Sequence, residues 1–182
     1  MRTQNKTTNY KDGEFVEENW TRVDAETGVS VADDALVPQS LFLEAPEDYL
    51  SRGAQTAVLV EAGDDVEQIA PFLERLAHVA VDFPSFADGR GFSAARVLRE
   101  QIGYQGDIRA AGKYILDQVP LARRCGVSSF EISKPEVLKA LKAGEWPEVT
   151  KYLQPVGTVE EMPVGTRPWA RRSFRDVAVA AE

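Results

Sequence analysis

The sequence is poor in the residues that most often carry out chemistry in small proteins. Its 182 residues include one histidine, one cysteine and two methionines. A single cysteine excludes an internal disulfide, and there is no cluster of His and Cys that would hold zinc. The histidine, His78, precedes a predicted strand, away from the strand ends where a ligand would bind, so a Ser-His-Asp or Cys-His arrangement is not indicated.

Cations and long apolar runs are also scarce. Lys and Arg number 21 against 29 Asp and Glu, which gives a formal charge of -8. Without excess cations to displace counterions, we expect neither a nucleic acid nor an anionic membrane as partner. No stretch approaches the ~20 apolar residues that cross a bilayer, and the N-terminus lacks the apolar core of a signal peptide. These features predict a cytoplasmic protein.

What is present is an alternation of strand-like and helix-like segments. Asp12-Gly13 has the chemistry of a two-residue hairpin turn, which predicts a small N-terminal hairpin. Four later segments are rich in buried-strand residues: Ala57–Glu61, Val79–Phe83, Asp107–Ala111 and Ser128–Ile132. Helical patterns between them imply right-handed crossovers. The sequence therefore predicts an α/β fold with a mainly parallel four-stranded sheet, helices on both faces in three layers, and a C-terminal extension.

The chain length favours one main domain with additions. We divide it into a hairpin and loop region (1–54), an α/β core (55–154) and a C-terminal tail (155–182). The tail contains TRPWARRSFR, whose arginines and tryptophan are typical of a partner-binding segment, although a loosely held terminus is an equal interpretation. A parallel sheet in so short a chain can also leave an edge for another copy to cover, so a homo-oligomer is a further prediction.

Each predicted strand carries an ionisable residue in or near its C-terminal half: Glu61, Asp82, Arg109 and Glu131. Ligands of open α/β sheets bind beyond the carboxyl ends of the strands, where these side chains would meet. Three interpretations are open. In the first, Arg109 forms an internal ion pair with Asp82 or Glu131. In the second, Arg109 and Arg90 bind a small anion or polar ligand together with loop N–H groups. In the third, the three carboxylates hold Mg²⁺.

The loop FPSFADGRGFS after the second of these strands belongs to the same region. Gly89 and Gly91 permit a sharp passage from strand to helix, Arg90 lies between them, and Ser93 is predicted to cap the helix. The helix N-terminus suits an anion, but three glycines at dinucleotide-binding spacing are absent. Asp88 has a simpler interpretation as the acceptor of a turn N–H. Cys125 shares a face with Leu121 and Ala122, which indicates a buried small residue.

Three motifs in a fixed order carry a resemblance. They are DFPSFADGRGFSAARVLRE, GDIRAAG and LDQVPLARRCGVSSFE, and they lie between Val81 and Glu131. This run resembles a bacterial family of unknown function, domain of unknown function 934. The positions of this sequence that match the motifs of the family are Asp88, Gly89, Arg90, Gly91, Arg96, Arg99, Arg109, Gly112, Asp117, Gln118, Arg124 and Cys125. The chain departs from the family pattern at Phe92, where Tyr is common, and at Val127, where Phe is common.

The resemblance implies a role in assimilatory sulfite reduction and cysteine biosynthesis, because members are typically encoded beside the sulfite reductase haemoprotein. The first hypothesis is an accessory protein that binds or supports this haemoprotein. The alternative is a small oxidoreductase or ligand-binding protein that uses Arg90, Arg109 and the strand-end carboxylates on an oxyanion or a phosphate-bearing cofactor. The sequence identifies no cofactor, and a flavin carrier has no signature in it.

Overall fold

A computed structural model describes residues 6–11, 13–26, 28–30, 32–145, 151–152 and 171–172. Its main sheet has eight strands: β1 Lys6–Lys11, β2 Glu14–Asn19, β3 Thr21–Arg22, β4 Ala35–Pro38, β5 Thr56–Val60, β6 Val79–Phe83, β7 Ile108–Gly112 and β8 Ser129–Ile132. Their order is β2-β1-β8-β7-β6-β5-β4-β3. Strands β3 to β8 are parallel, whereas β1 is antiparallel to both β2 and β8.

The α/β class is confirmed, but the prediction of a four-stranded sheet is wrong. The four predicted strands are present as β5 to β8, with bounds within one residue of those expected. The predicted hairpin also forms, as β1 and β2, and it joins the same sheet through β8. Residues of the first region therefore supply half of the strands. Most of the predicted tail lies outside the described residues, apart from Arg171–Arg172, which pairs with Lys151–Tyr152 in a separate two-stranded sheet.

The eight-stranded sheet curls until its two edges meet. The edge strands β2 and β3 are separated in sequence by Trp20 alone. With consecutive Cα atoms 3.8 Å apart, the end of β2 and the start of β3 are at most about 7.6 Å from each other. The sheet consequently has an inner face, whose apolar residues are Leu36, Ala57, Leu59, Ala80 and Ala111, packed against Trp20.

Helices cover the outer face, so the prediction of helices on both faces is wrong for the described residues. The helical segments are α1 Gln39–Glu44, α2 Pro46–Leu50, the 3₁₀ helices Gly28–Ser30, Val66–Arg75 and Leu116–Gln118, α3 Arg90–Arg96 with its π-helical continuation Val97–Gln101, α4 Val119–Arg124 and α5 Pro135–Lys142. Their buried residues, such as Phe42, Ile69 and Leu98, form one core with Val58 and Val81 of the strands. Parallel strands that follow one another in sequence and are joined by right-handed crossovers place every connecting helix on the same side.

Candidate functional site

The loop between β6 and α3 is held by its own acidic residue. Asp88 Oδ1 accepts a hydrogen bond from the Arg90 backbone N–H at 3.1 Å, and Asp88 Oδ2 lies 2.6 Å from Arg90 Nη2. The hydrogen bonds from Arg90 lower the pKa of Asp88 to about 2. The interpretation of Asp88 as a turn acceptor is therefore confirmed, and the charge of Arg90 is balanced within the loop.

Two glycines of this loop have different roles. A Cβ atom on Gly91 would lie 2.8 Å from Phe83 Cζ and 2.9 Å from the Asp82 carbonyl oxygen, so only glycine lets α3 approach β6 this closely. Gly89, at the helix N-cap, has room for a Cβ. The prediction that Ser93 caps this helix is wrong, because α3 already begins at Arg90.

The tip of the loop is fixed to the next helical segment. Gln118 Nε2 donates to the Phe86 carbonyl at 3.2 Å, while Gln118 Oε1 accepts from the Ile115 N–H at 3.1 Å. The neighbouring Asp117 is exposed in the same 3₁₀ turn and lies outside these bonds. The Phe86 ring is left 61% exposed. The loop thus presents an aromatic side chain from a backbone that is held in place.

Arg109 lies on the inner face of the sheet, away from the loop, and only 5% of it is exposed. It bonds Glu18 Oε2 at 2.8 Å, Asp107 Oδ2 at 3.3 Å and Ser129 Oγ at 3.2 Å. These partners differ from the expected Asp82 and Glu131. Sequence reasoning did not find Glu18, because its contact with Arg109 depends on how β1, β2 and β8 align.

An arginine that the sequence did not single out lies at the strand-end carboxylates. Arg22 Nη2 lies 3.1 Å from Glu61 Oε1. Burial raises the pKa of Asp82, and the charge of Arg22 acts to lower it. Burial also raises the pKa of Glu131, against the charge of Arg109 and then that of Arg22. Arg22 therefore pairs with Glu61, while Arg109 is the nearer cation for Glu131 in its electrostatic effect.

A cavity of about 260 Å³ opens at the carboxyl ends of β5 and β6. Five of the predicted site residues line it: Glu61, Asp82, Arg90, Gly91 and Ser93. Asp64, Asp65 and Glu67 add further carboxylates, and Val66, Ala94 and Val97 provide apolar walls. Arg109, Glu131, Asp117 and Gln118 do not line it. With a single arginine already paired to Asp88, the acidic lining of this cavity disfavours an anion.

The profile described as "Bacterial protein of unknown function (DUF934)" matches residues 57–161, which is more than half of the chain. The chain belongs to the DUF934 family. No curated protein matched it. The DUF934 range contains β6 to β8 and all of β5 except Thr56, together with the loop and the cavity, whereas β1 to β4 precede it.

Several positions in the DUF934 motifs have structural roles. Arg99 donates to the carbonyl oxygens of Gly106 and Gly126 at 3.1 and 2.9 Å, and also to that of Tyr104. Gly112 has a φ of +96°, and a Cβ there would lie 2.5 Å from the Phe83 carbonyl oxygen. These two residues fix turns and strand ends of the fold.

The single histidine, His78, and the single cysteine, Cys125, are both buried. Burial lowers the pKa of His78 to about 3, and it raises the pKa of the Cys125 thiol. Both groups are therefore neutral near pH 7. Within the described ranges, no group of three or more His, Cys, Asp or Glu residues could hold a metal ion. No helix in the described part of the chain is long and apolar enough to cross a membrane.

A second cavity, of about 440 Å³, lies at the amino ends of the parallel strands. Its lining includes Asn19, Trp20, Asp33, Asp34 and Gly53, none of which the sequence placed in a site. Trp20 is the residue between β2 and β3. Its indole Nε1 donates to Glu18 at 2.7 Å, and its ring packs edge-on against His78 with 4.6 Å between centroids.

Proposed function

We propose that this protein is a non-catalytic accessory protein of assimilatory sulfite reduction, and that it binds the sulfite reductase haemoprotein in the cytoplasm. The three ordered motifs that resemble the family support the pathway, since the resemblance implies an association with this haemoprotein. The arrangement of the site supports a binding role over a catalytic one. The longest of the three motifs covers the end of β6, the loop and α3, and within the described residues the most exposed large aromatic side chain, Phe86, lies there.

The observation that carries the binding role is the exposure of Phe86 on a fixed loop. Its ring is 61% exposed, yet its carbonyl is bonded to Gln118 and the following turn is closed by Asp88. Aromatic residues are enriched at protein interfaces, and a pre-ordered loop loses little conformational entropy on binding. We infer that Phe86 enters an apolar pocket of the haemoprotein.

The alternative, an enzyme or oxyanion-binding protein, has less support. It needs Arg90 and Arg109 to converge on one ligand, but Arg109 is bonded to Glu18 and Asp107 on the inner face and does not line the cavity. The neutral, buried state of His78 and Cys125 also leaves the carboxylates as the remaining acid-base groups.

Binding of the purified full-length protein to the sulfite reductase haemoprotein, measured by interferometry at low salt, tests the proposal. We expect Phe86→Ala to weaken binding by about tenfold or more, the usual effect of removing an interface anchor. Val16→Ala, which shortens another exposed apolar side chain, is the matched control and should bind normally. Thermal unfolding should be unchanged in both variants.

Two results would oppose the proposal at different levels. If the wild-type protein shows no association with the haemoprotein at low salt, the accessory role is wrong. If it associates and Phe86→Ala binds as well as the wild type, the loop is not the contact surface.

A further inference from the structure

Glu131 of β8 is a predicted site residue that lies outside both the loop and the cavity of about 260 Å³. Its neighbour Phe130 packs in the core beneath the helices, and side chains alternate along a strand, so Glu131 lies on the inner face of the sheet. In the described part of the chain, its half-buried carboxyl group forms no hydrogen bond or ion pair. Buried polar groups normally have a partner, so this one requires an explanation.

The residue directly across from Glu131 lacks a hydrogen-bond donor. Asn9 of β1 pairs with Glu131 in the antiparallel register, so the two side chains lie on the same face with their Cβ atoms about 4.5–5.5 Å apart. Asn9 is 1% exposed, and its Oδ1 atom accepts no hydrogen bond. Its Nδ2 donates to Glu18 Oε2 at 3.3 Å, which fixes the orientation of the amide. A buried acceptor is therefore left without a donor beside Glu131, at a cost in stability.

A proton on Glu131 supplies the missing donor. An ionised carboxylate only accepts hydrogen bonds, whereas a protonated carboxyl group also carries an O–H donor. Two acceptors that face each other across a strand pair cannot bond, but a neutral Glu131 can donate to Asn9 Oδ1. The Oδ1 atom is closed to solvent, so a water molecule from the surface does not take this role. Protonation of Glu131 therefore satisfies both groups at once.

The charges around Glu131 leave its neutral form favoured. Burial raises the pKa of Glu131, and the charge of Asp82 on β6 adds to the rise. The charges of Arg109 on β7 and Arg22 on β3 act in the opposite direction without reversing it. Asp82 pairs with Ala111, which lies beside Glu131, so one small side chain separates the two carboxyl groups.

The cations that face this part of the inner surface are already paired with other carboxylates. The pairs, with N–O distances from 2.8 to 3.6 Å, are Arg109–Glu18, Arg109–Asp107, Arg22–Glu61 and Lys11–Asp107. Helix α5, which also contacts β8, lies with the other helices on the outer face, so its charged side chains do not face Glu131. Because none of the described cations bonds Glu131, a proton is what neutralises it.

We propose that Glu131 takes up a proton in the folded protein and donates it to Asn9 Oδ1, as a pH-sensitive bond between the N-terminal hairpin and the parallel strands. The hairpin joins the parallel strands where β1 pairs with β8, over four residue pairs from Thr8 to Lys11. The bond strengthens this junction as the pH falls. Ionisation of Glu131 at higher pH removes the bond and leaves two acceptors facing each other, so the junction is the element that responds to pH.

Urea unfolding of the full-length protein at two pH values gives the first test. A carboxyl group whose pKa is raised on folding stabilises the protein below its unfolded pKa of about 4.3, and this contribution is lost as the pH rises through the folded pKa. Glu131→Gln carries an N–H donor at every pH. Its midpoint should therefore exceed that of the wild type at about pH 7, and the difference should shrink toward about pH 4. Glu14→Gln, the same change at an exposed position of the hairpin, should leave the midpoint nearly unchanged.

A carbon-13 NMR titration separates the hydrogen bond from the effect of burial. In the wild type we expect the Glu131 carboxyl signal to titrate above about pH 4.3, and the Asn9 side-chain carbonyl signal to shift with the same midpoint. A hydrogen bond from the neutral form raises the pKa of a carboxyl group, so Asn9→Leu, which removes the acceptor, should lower the Glu131 midpoint. Burial alone predicts the opposite, because leucine keeps the site apolar.

Three results overturn the proposal. They are an Asn9 signal that does not follow Glu131, a Glu131 midpoint that stays or rises in Asn9→Leu, and a Glu131→Gln variant no more stable than the wild type at about pH 7. The first and third need only the wild type and an amide substitution, so the test stands even if Asn9→Leu does not fold. The haemoprotein is absent from all of these measurements, so their outcome is independent of the proposed function.

Discussion

The role of Arg109 can be decided by removing its charge while keeping its apolar stem. Arg109→Met leaves Asp107, whose side chain is 8% exposed, and Glu18, whose side chain is 31% exposed, without their guanidinium partner. Breaking a buried ion pair typically costs 3–5 kcal/mol, roughly. Glu18 retains the Trp20 donor and Asp107 retains Ser128 and Ser129, which favours the lower end. We expect a loss of about 3 kcal/mol in the free energy of unfolding.

Urea unfolding followed by circular dichroism measures this loss. With a urea m value of about 2 kcal/mol/M, the midpoint should fall by about 1.5 M. Arg75→Met removes an arginine from an exposed pair with Glu47, in which the two hydrogen bonds are 2.7 and 2.9 Å, and should leave the midpoint nearly unchanged. A double-mutant cycle with Asp107→Asn should give a coupling energy of roughly 1–3 kcal/mol.

The pH dependence of the same variant has a definite sign. Burial acts to raise the pKa of Asp107, but hydrogen bonds from Ser128 and Ser129, with the charges of Arg109 and Lys11, lower it overall. A carboxyl whose pKa is lowered on folding stabilises the protein above its unfolded pKa, and this contribution is lost as the pH falls through the folded pKa. The deficit of Arg109→Met should therefore shrink as the pH falls below about 4, the ordinary pKa of an Asp, toward the lower folded pKa. A deficit below about 1 kcal/mol at neutral pH would refute the structural role and reopen the ligand-binding interpretation.

Two further predictions concern local packing and protonation. Gly91→Ala should destabilise the protein by about 1–3 kcal/mol in urea unfolding, because the new Cβ would overlap Phe83 and the Asp82 carbonyl. Gly89→Ala, where a Cβ has room, should be tolerated. Equal effects of the two substitutions would contradict the described contact. His78 is the only histidine, and burial lowers its pKa to about 3, so its imidazole NMR signals should remain those of the neutral form from about pH 8 to about pH 5. The neutral, buried imidazole contributes to stability above about pH 6.5, and this contribution is lost as the pH falls toward its folded pKa. An NMR titration midpoint near pH 6.5 would contradict the burial.

The central strands were predictable because their sequences favour a buried strand over other secondary structure. Segments such as Val79–Phe83 are short, apolar and β-branched, and they are followed by turn residues. Strands β3 and β4 were missed because β3 has only two residues and β4 ends in Pro38. Neither is long enough to show a period.

The covering of the sheet was mispredicted for a related reason. Strands buried on both faces are apolar throughout, whether the second face meets helices or the interior of a curled sheet. The inner positions Ala57, Leu59 and Ala80 are small or aliphatic and do not distinguish these cases. The distinction depends on strand order, which the local pattern does not contain.

Contacts within the glycine loop were predictable, and the partners of Arg109 were not. Asp88, Gly89, Arg90 and Gly91 are contiguous, so turn chemistry alone placed them together. One ion-pair partner of Arg109 is Glu18, 91 residues away, and their meeting requires β1 to pair with β8 and the sheet to curl. A charged residue in a buried strand indicates that it has a partner, but its position in the sequence does not identify that partner.

The closure of the sheet explains why the binding surface should lie outside it. Trp20 joins the two edge strands, its indole bonds Glu18, and Glu18 bonds Arg109, so this ion pair links the edge strand β2 to β7 across the inner face. A ligand that drew Arg109 away from Glu18 would have to replace this link. Binding at the loop with Phe86, or at the layer around α3, would break no such contact, because the exposed side chains there contribute little to the core. Function in this fold is therefore best sought on the carboxyl rim and on the outer helices.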